Sequence, residues 1–332
     1  MPQCRAAPKR SRLKRRPEMK PGKTRRPMAE GALFLLWASF VAAGCAAVAS
    51  VLYALQPRFR LVWSTGRVEA TEPPLPAPDP VPLRSPTLGG IATLSVWAAA
   101  GLGIVGLVMR SLALNHAPYS NLFEFSMSFG IAIVLLYGIF ELRSGTRLAG
   151  AFVLPVACGL YGSALAFPSQ GQEILVPALQ SPTLLTIHVA LMILSYAVLA
   201  VAFGAAAMHL VQGFPLRVEQ LGGRYEWLPS AQRCDELTFR AVLVGFPLLA
   251  AGIALGAFWA NDAWGRYWGW DPKETAALVT WLIFATYIHG RGLRQLRGAR
   301  KAWIVVMGFF AVMFTYLGVN LWISGLHSYA GV

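Results

Sequence analysis

Eight long apolar runs, at about residues 31–55, 87–109, 120–140, 148–167, 183–212, 241–260, 272–289 and 302–325, constrain this chain more than any other feature. A helix needs about 20 apolar residues to cross a hydrocarbon core. Backbone exposed to lipid must satisfy its own hydrogen bonds. The expected fold is therefore all-α, a polytopic membrane helical bundle with about eight transmembrane helices. Two runs are marginal: the third carries Glu124 near its start, and the seventh has only fourteen uncharged apolar or Thr residues before His289. Composition agrees, because 13% charged residues against 56% hydrophobic ones cannot cover the surface of a soluble protein. A typical soluble enzyme is excluded.

The net charge of +14 does not indicate a nucleic-acid partner. Residues 1–27 hold eleven Lys/Arg and one acid, so +10 lies there and only about +4 is spread over the rest. Between the runs, basic residues alternate between rich and poor loops. The rich ones follow runs 1, 3, 5 and 7, and basic loops mark the cytoplasmic side. The protein is expected in the cell membrane, multi-pass, with both termini outside. The basic stretch 1–27 contradicts this parity, which makes it a disordered or untranslated extension, with Met28 as the start. Residues 28–86 then hold the first transmembrane helix and a Pro-rich cytoplasmic loop, and 87–332 form the helical core. A secretory signal is excluded by the length of the first apolar run. The four cysteines, Cys4, Cys45, Cys158 and Cys234, share no metal-ligand or CxxC spacing. Redox chemistry by the chain's own thiols is not expected.

The segment from Trp259 to Glu274 is the most informative in the chain. It packs Trp259, Trp264, Trp268, Trp270 and Tyr267 into sixteen residues. An interfacial aromatic belt explains one or two Trp per helix end, not four spaced by glycines. Read as a loop, the segment forms a flat aromatic platform suited to a large planar ligand. Arg266 and Lys273 stand at its rim to pair with carboxylates. Asp271 followed by Pro272 predicts the N-cap and first turn of the seventh helix.

This segment resembles the tryptophan-rich WWD signature of haem-handling membrane proteins. The resemblance is to the CcsA/ResC-type subunit (CcsB in some bacteria) of System II cytochrome c biogenesis. Further stretches share it: Val176–Ser181 with Ile187-His188, Gly318–Leu321 with Gly325–Tyr329, and Ser120–Glu124. The chain departs from the family at Ala276 and at Asn115–Tyr119, which weakens any role for His116. The resemblance implies transport of haem b across the membrane and its presentation outside for thioether attachment to the CxxCH segment of apocytochrome c. It also implies a Ccs1/ResB-type membrane partner, an indirect link to thiol-reducing proteins, and a place as subunit of a cytochrome c haem lyase. The alternative is a haem transporter or chaperone without lyase activity of its own; a transporter for another planar ligand is the third class.

Parity places His188 and His327 beside the aromatic segment. They are either helix-end hydrogen-bonding residues or, as the resemblance implies, the two axial ligands of an outer haem iron. The resemblance makes Trp259, Trp264, Trp268, Trp270, Asp271, Arg266 and Lys273 the surrounding haem site. His289 lies about 27 Å from Asp271 along a helix, beyond the reach of one porphyrin. The resemblance gives it an inner haem iron, with the opposite ligand from the partner. His209 reads as an interfacial side chain. Glu124 and Glu274 read as helix-start charges, with proton-relay or propionate-linked roles as the alternative.

Overall fold

The computed structural model describes residues 25–56, 85–166, 182–212, 229–292, 298–323 and 325–327. Each of the eight apolar runs is helical: α1 (Arg25–Leu55), α2 (Pro86–Leu114), α3 (Leu122–Ser144), α4 (Gly150–Ala166), α5 (Pro182–Gln212), α6 (Ala231–Trp264), α7 (Pro272–Gly290) and α8 (Ala299–Met313). A π-turn (Phe314–Gly318) and a short α9 (Val319–Trp322) complete the last run. Among the described residues six helices are long and apolar enough to cross a membrane, the last of them continuous from Ala299 to Trp322. The third run is no marginal span but a full 23-residue helix. The short ones are α4, with 17 residues and an internal Pro155, and α7, with 19 residues. The basic extension up to residue 24, the Pro-rich loop 57–84 and Val176–Ser181 lie outside the described residues.

Neighbouring helices run antiparallel. Ser39 Oγ in α1 donates to the Ala99 carbonyl in α2 at 2.8 Å and meets Tyr161 Oη of α4 at 2.8 Å. Ser195 Oγ in α5 donates to the Gly245 carbonyl in α6 at 2.8 Å. Thr280 of α7 meets Thr315 of the π-turn at 3.2 Å. Small residues permit this approach, as expected where apolar helices associate without a water-driven force. A Cβ on Gly103 would lie 2.6 Å from Ile131 Cγ1, and one on Gly204 would lie 2.3 Å from Val153 Cγ2.

The alternation gathers the starts of α3, α5 and α7 and the ends of α2, α6 and α9 at one end of the bundle. Of the described basic side chains, Arg143, Arg147, Arg233, Arg240, Arg291, Arg300 and Lys301 belong to the opposite end, and Arg26, Arg266 and Lys273 to this one. Arg110 belongs to neither loop population. It is 3% exposed on the last turns of α2 and donates from Nε to Glu124 Oε1 at 2.9 Å. That ion pair explains why Glu124 does not shorten α3. The Glu124 carboxylate is fully buried and also accepts from Ser120 N–H and Oγ at 3.1 and 2.7 Å. Asn121 caps α3 by accepting from the Glu124 amide at 2.9 Å. The loop between α2 and α3 is therefore pinned from below.

Removing one partner of a buried ion pair strands the other. Arg110→Met is expected to destabilise the chain by about 3–5 kcal/mol, read as a lower thermal denaturation midpoint in detergent. The double variant R110M/E124Q should recover most of that loss, since a neutral amide still accepts from Ser120. A double variant no more stable than R110M would contradict this account of the pair.

Candidate functional site

At the end of the bundle shared by α3, α5, α6, α7 and α9 lies a cavity of about 1050 Å³, counting its open mouth. Apolar side chains dominate its walls, including Leu185, Val189, Met192, Ile253 and Ala277. His188, His327, Trp259, Trp268 and Lys273 all line it. Five of the sequence-predicted site residues are thus brought to one space.

His188 sits in the second turn of α5 and faces α6. Its Nδ1 lies 2.7 Å from the Gly252 carbonyl. A carbonyl only accepts, so Nδ1 carries the proton and Nε2 carries the lone pair. The neighbouring α6 makes room through Gly256, where a Cβ would sit 2.6 Å from His188 Cε1. The imidazole stacks parallel to the Trp259 indole, with centroids 6.3 Å apart and planes 5° apart.

His327 follows α9 and is held by the start of α7. Asp271 caps α7, accepting from the Lys273 amide at 3.2 Å through Oδ2. The same oxygen takes His327 Nδ1–H at 2.7 Å, and Oδ1 takes the Leu326 amide at 2.6 Å. A Cβ on Gly325 would lie 2.6 Å from Asp271 Oδ1, so only glycine lets this segment come so close. The hydrogen bond to Asp271 places the neutral His327 lone pair on Nε2 as well. Burial lowers the His327 pKa below the usual histidine value, with Asp271 pulling against it. Burial alone would raise the Asp271 carboxyl, but the hydrogen bonds from His327, Leu326 and Lys273 together bring it below the usual range.

The aromatic segment is neither a loop throughout nor flat. α6 continues to Trp264, so Trp259 and Trp264 are helical residues, and only positions 265–271 leave the helix. Trp259 is 1% exposed and meets Trp264 edge-on, 4.8 Å away at 71°. Trp264 in turn stands edge-on to His327, 4.9 Å away at 80°. Trp268 and Trp270 cross at 90°. Indole quadrupoles favour such edge-to-face contacts over a coplanar shelf. The result is a walled cavity rather than a platform.

Trp270 points outward, 69% exposed, on a backbone with φ of 55°. A bulky residue in the left-handed region costs about 1–2 kcal/mol. The turn is over-determined by its neighbours. Glu274 Oε2 accepts from both the Gly269 and Asp271 amides, at 2.8 and 3.1 Å. This completes the capping box, a directed contact beyond the helix-start charge read for Glu274 from the sequence. Arg266 is exposed beside Gly269 and lies outside the cavity lining. His289 is exposed at the far end of α7, about 27 Å from Asp271. His209, also at that end, bonds through Nδ1 to the Ala231 carbonyl at 3.0 Å. His116 lies outside the cavity lining, with Nδ1 2.9 Å from the Ala117 carbonyl and 3.7 Å from Glu124.

Several cavity residues escape sequence reasoning. Tyr119 closes one wall and is tied to Thr186 of α5 at 2.6 Å. Thr315 and Asn320 reach the cavity through the π-turn, which shifts the helical register. Among the described residues no group of three or more His, Cys, Asp or Glu is placed to hold a metal ion. Two neutral imidazoles on an indole-lined, apolar cavity are suited to a metal that arrives with its remaining donors already in a planar ligand.

Residues 119–327 match the family model described as "Cytochrome C assembly protein". The "Cytochrome c biogenesis protein CcsA" of Synechococcus elongatus is 37% identical over 74% of this chain and 89% of its own length. Its counterparts in Microcystis aeruginosa and Marchantia polymorpha are both 38% identical, over 74% and 67% of this chain and 88% and 82% of their own lengths. A solved "Cytochrome c Heme Lyase CcmF" shares the fold, with a TM-score of 0.58 at 19% identity over 93% of this chain and 48% of that one.

The charge of Asp271 raises the pKa of His327 against burial, so Asp271→Asn is expected to lower it further. A titration of the imidazole signals by NMR reads this directly, and an unchanged or higher His327 pKa would contradict it. In the unsubstituted chain both shifts act in one direction on acidification. The His327 contribution is lost as pH falls through 6.5 towards its lowered value, and that of Asp271 as pH falls further, below 3.8.

Proposed function

The chain belongs to the cytochrome c assembly protein family and serves cytochrome c maturation, and within that role we propose that it receives haem b as a transported substrate and presents it in the indole-lined cavity. His188 and His327 are the axial ligands of the haem iron. The single observation that carries this reading is that two separately anchored imidazoles, each with its lone pair on Nε2, line one apolar cavity.

The residues divide the work. Gly252 and Asp271 fix the tautomers, and Asp271 makes His327 a stronger donor. Trp259, with Trp264 behind it, walls the cavity. Exclusion of water from this apolar space protects the iron ligation and the porphyrin faces. Holding the substrate at one edge of the bundle meets the geometric requirement of the attachment. There the two thiols of a CxxCH segment of apocytochrome c add across the two vinyl double bonds. Each sulfur forms a carbon–sulfur bond, and each thiol proton is delivered, in net, to the other vinyl carbon, with no net oxidation. The vinyl chemistry belongs to the haem and the thiols; the protein supplies position and ligation. The chain is thus a subunit of a cytochrome c haem lyase rather than a courier alone.

The cavity faces the extracytoplasmic side, since the loops at the opposite end of the bundle are the ones rich in Arg and Lys. His289, exposed at that basic end, serves an inner haem site whose other axial ligand comes from a Ccs1/ResB-type partner. Haem enters there and leaves through the cavity.

The paired variant H188A/H327A is expected to lose the absorption of bis-histidine haem at the outer site while the inner fraction stays. His289→Ala should do the reverse. Haem content and visible spectra of the purified complex read both. Unchanged spectra and unchanged cytochrome c yield in H188A/H327A would refute the ligand assignment. Gly256→Ala, which drives a methyl into the His188 ring, should weaken outer haem binding by about tenfold or more, since misplaced ligands lose most of their bond energy.

A further inference from the structure

The cavity contains a cation that forms no ion pair among the described residues. Lys273 stands in the first turn of α7, where the helix dipole is already positive. Its ammonium donates to Asn320 Oδ1 at 2.9 Å, a neutral acceptor, and an ammonium has three protons to place. The two carboxylates of the same turn are committed elsewhere. Asp271 takes His327 and the Leu326 amide, and Glu274 takes the Gly269 and Asp271 amides. Among the described residues, no ion pair of Lys273 within 4.0 Å is formed. Trp268 lines the same cavity, and its Nε1–H is buried without a hydrogen-bond partner among the described residues. An indole nitrogen can only donate, and a buried donor left unpaired is costly. Two donors with protons left to place, one of them charged, therefore border one mostly apolar space, in which the Glu274 carboxylate is already engaged by backbone amides.

We propose that Lys273 and Trp268 form a carboxylate-recognition subsite that takes the propionate edge of the porphyrin. This deepens the haem reading above and rests on it. Asn320 orients the ammonium, which explains why the π-turn matters: it brings an amide on the last helix opposite the start of α7. On protoporphyrin the vinyl groups lie on the edge away from the propionates. A porphyrin anchored at Lys273 and Trp268 therefore turns its vinyl edge away from α7 and towards an incoming substrate. The subsite selects which edge is presented, a task the two imidazoles cannot perform, since they hold the iron from its faces.

The test compares haem with haem dimethyl ester, in which both propionates are neutral. Each is titrated into the full-length chain in lipid nanodiscs and followed by the Soret band. The wild type should prefer the free acid by about tenfold or more, the scale of one charge-assisted contact. Lys273→Met should lose that preference while binding the diester as tightly as wild type, which also shows that the variant is folded. Lys273→Arg should keep it, and Trp268→Phe should reduce it severalfold. K273M that prefers the free acid as strongly as wild type would overturn the subsite and leave the haem reading standing. A wild type that binds neither form would overturn both.

Discussion

The site depends on one carboxylate doing two jobs. Asp271 caps α7 and, with the same two oxygens, holds the Leu326 amide and the His327 imidazole. A helix start and the segment after the last helix are thereby fixed to each other across 55 positions of sequence. Because the cap is a charged acceptor on a dipole's positive end, the imidazole it holds gains a directed, ionic partner. Without it, His327 would lose the partner that fixes its tautomer, though its ring would still rest against Trp259 and Trp264.

Around that contact the bundle is built from close approaches. Gly325 lets the chain reach Asp271, and Gly256 lets His188 lie against α6. Arg110 and Glu124 pin the loop carrying Tyr119 and Ser120 against the cavity from the other side. Each is a local choice of a small or charged residue in a chain otherwise dominated by apolar side chains. Polar groups in such a setting are costly unless paired. The buried charges Arg110, Glu124 and Asp271 are each paired.

Much of this was legible in the sequence, for identifiable reasons. Apolar runs dictate helices in a membrane, so the eight runs reappear as helices within a few residues. Asp271-Pro272 signals a cap, because an N-cap uses local atoms only. The two histidines and the tryptophan cluster stood out by rarity. What stayed hidden involves long-range geometry. Nothing local tells that α6 persists through Trp264, since the polar pair Asn261-Asp262 ends the apolar run before it. Edge-to-face indoles look the same in sequence as coplanar ones, so the flat platform was an error of geometry rather than of residues. Glu124 read as a helix-start charge because its partner, Arg110, lies fourteen positions away on another helix. The π-turn has no sequence signature, yet it decides that Thr315 and Asn320 face the cavity.

The central claim is that His188 and His327 meet a single iron in this cavity. Electron paramagnetic resonance of the haem-loaded, oxidised full-length chain tests it most directly. Two imidazoles on one iron give a low-spin ferric signal, converted to a high-spin one when His327 alone is replaced by alanine. A low-spin signal that survives His327→Ala unchanged would contradict it.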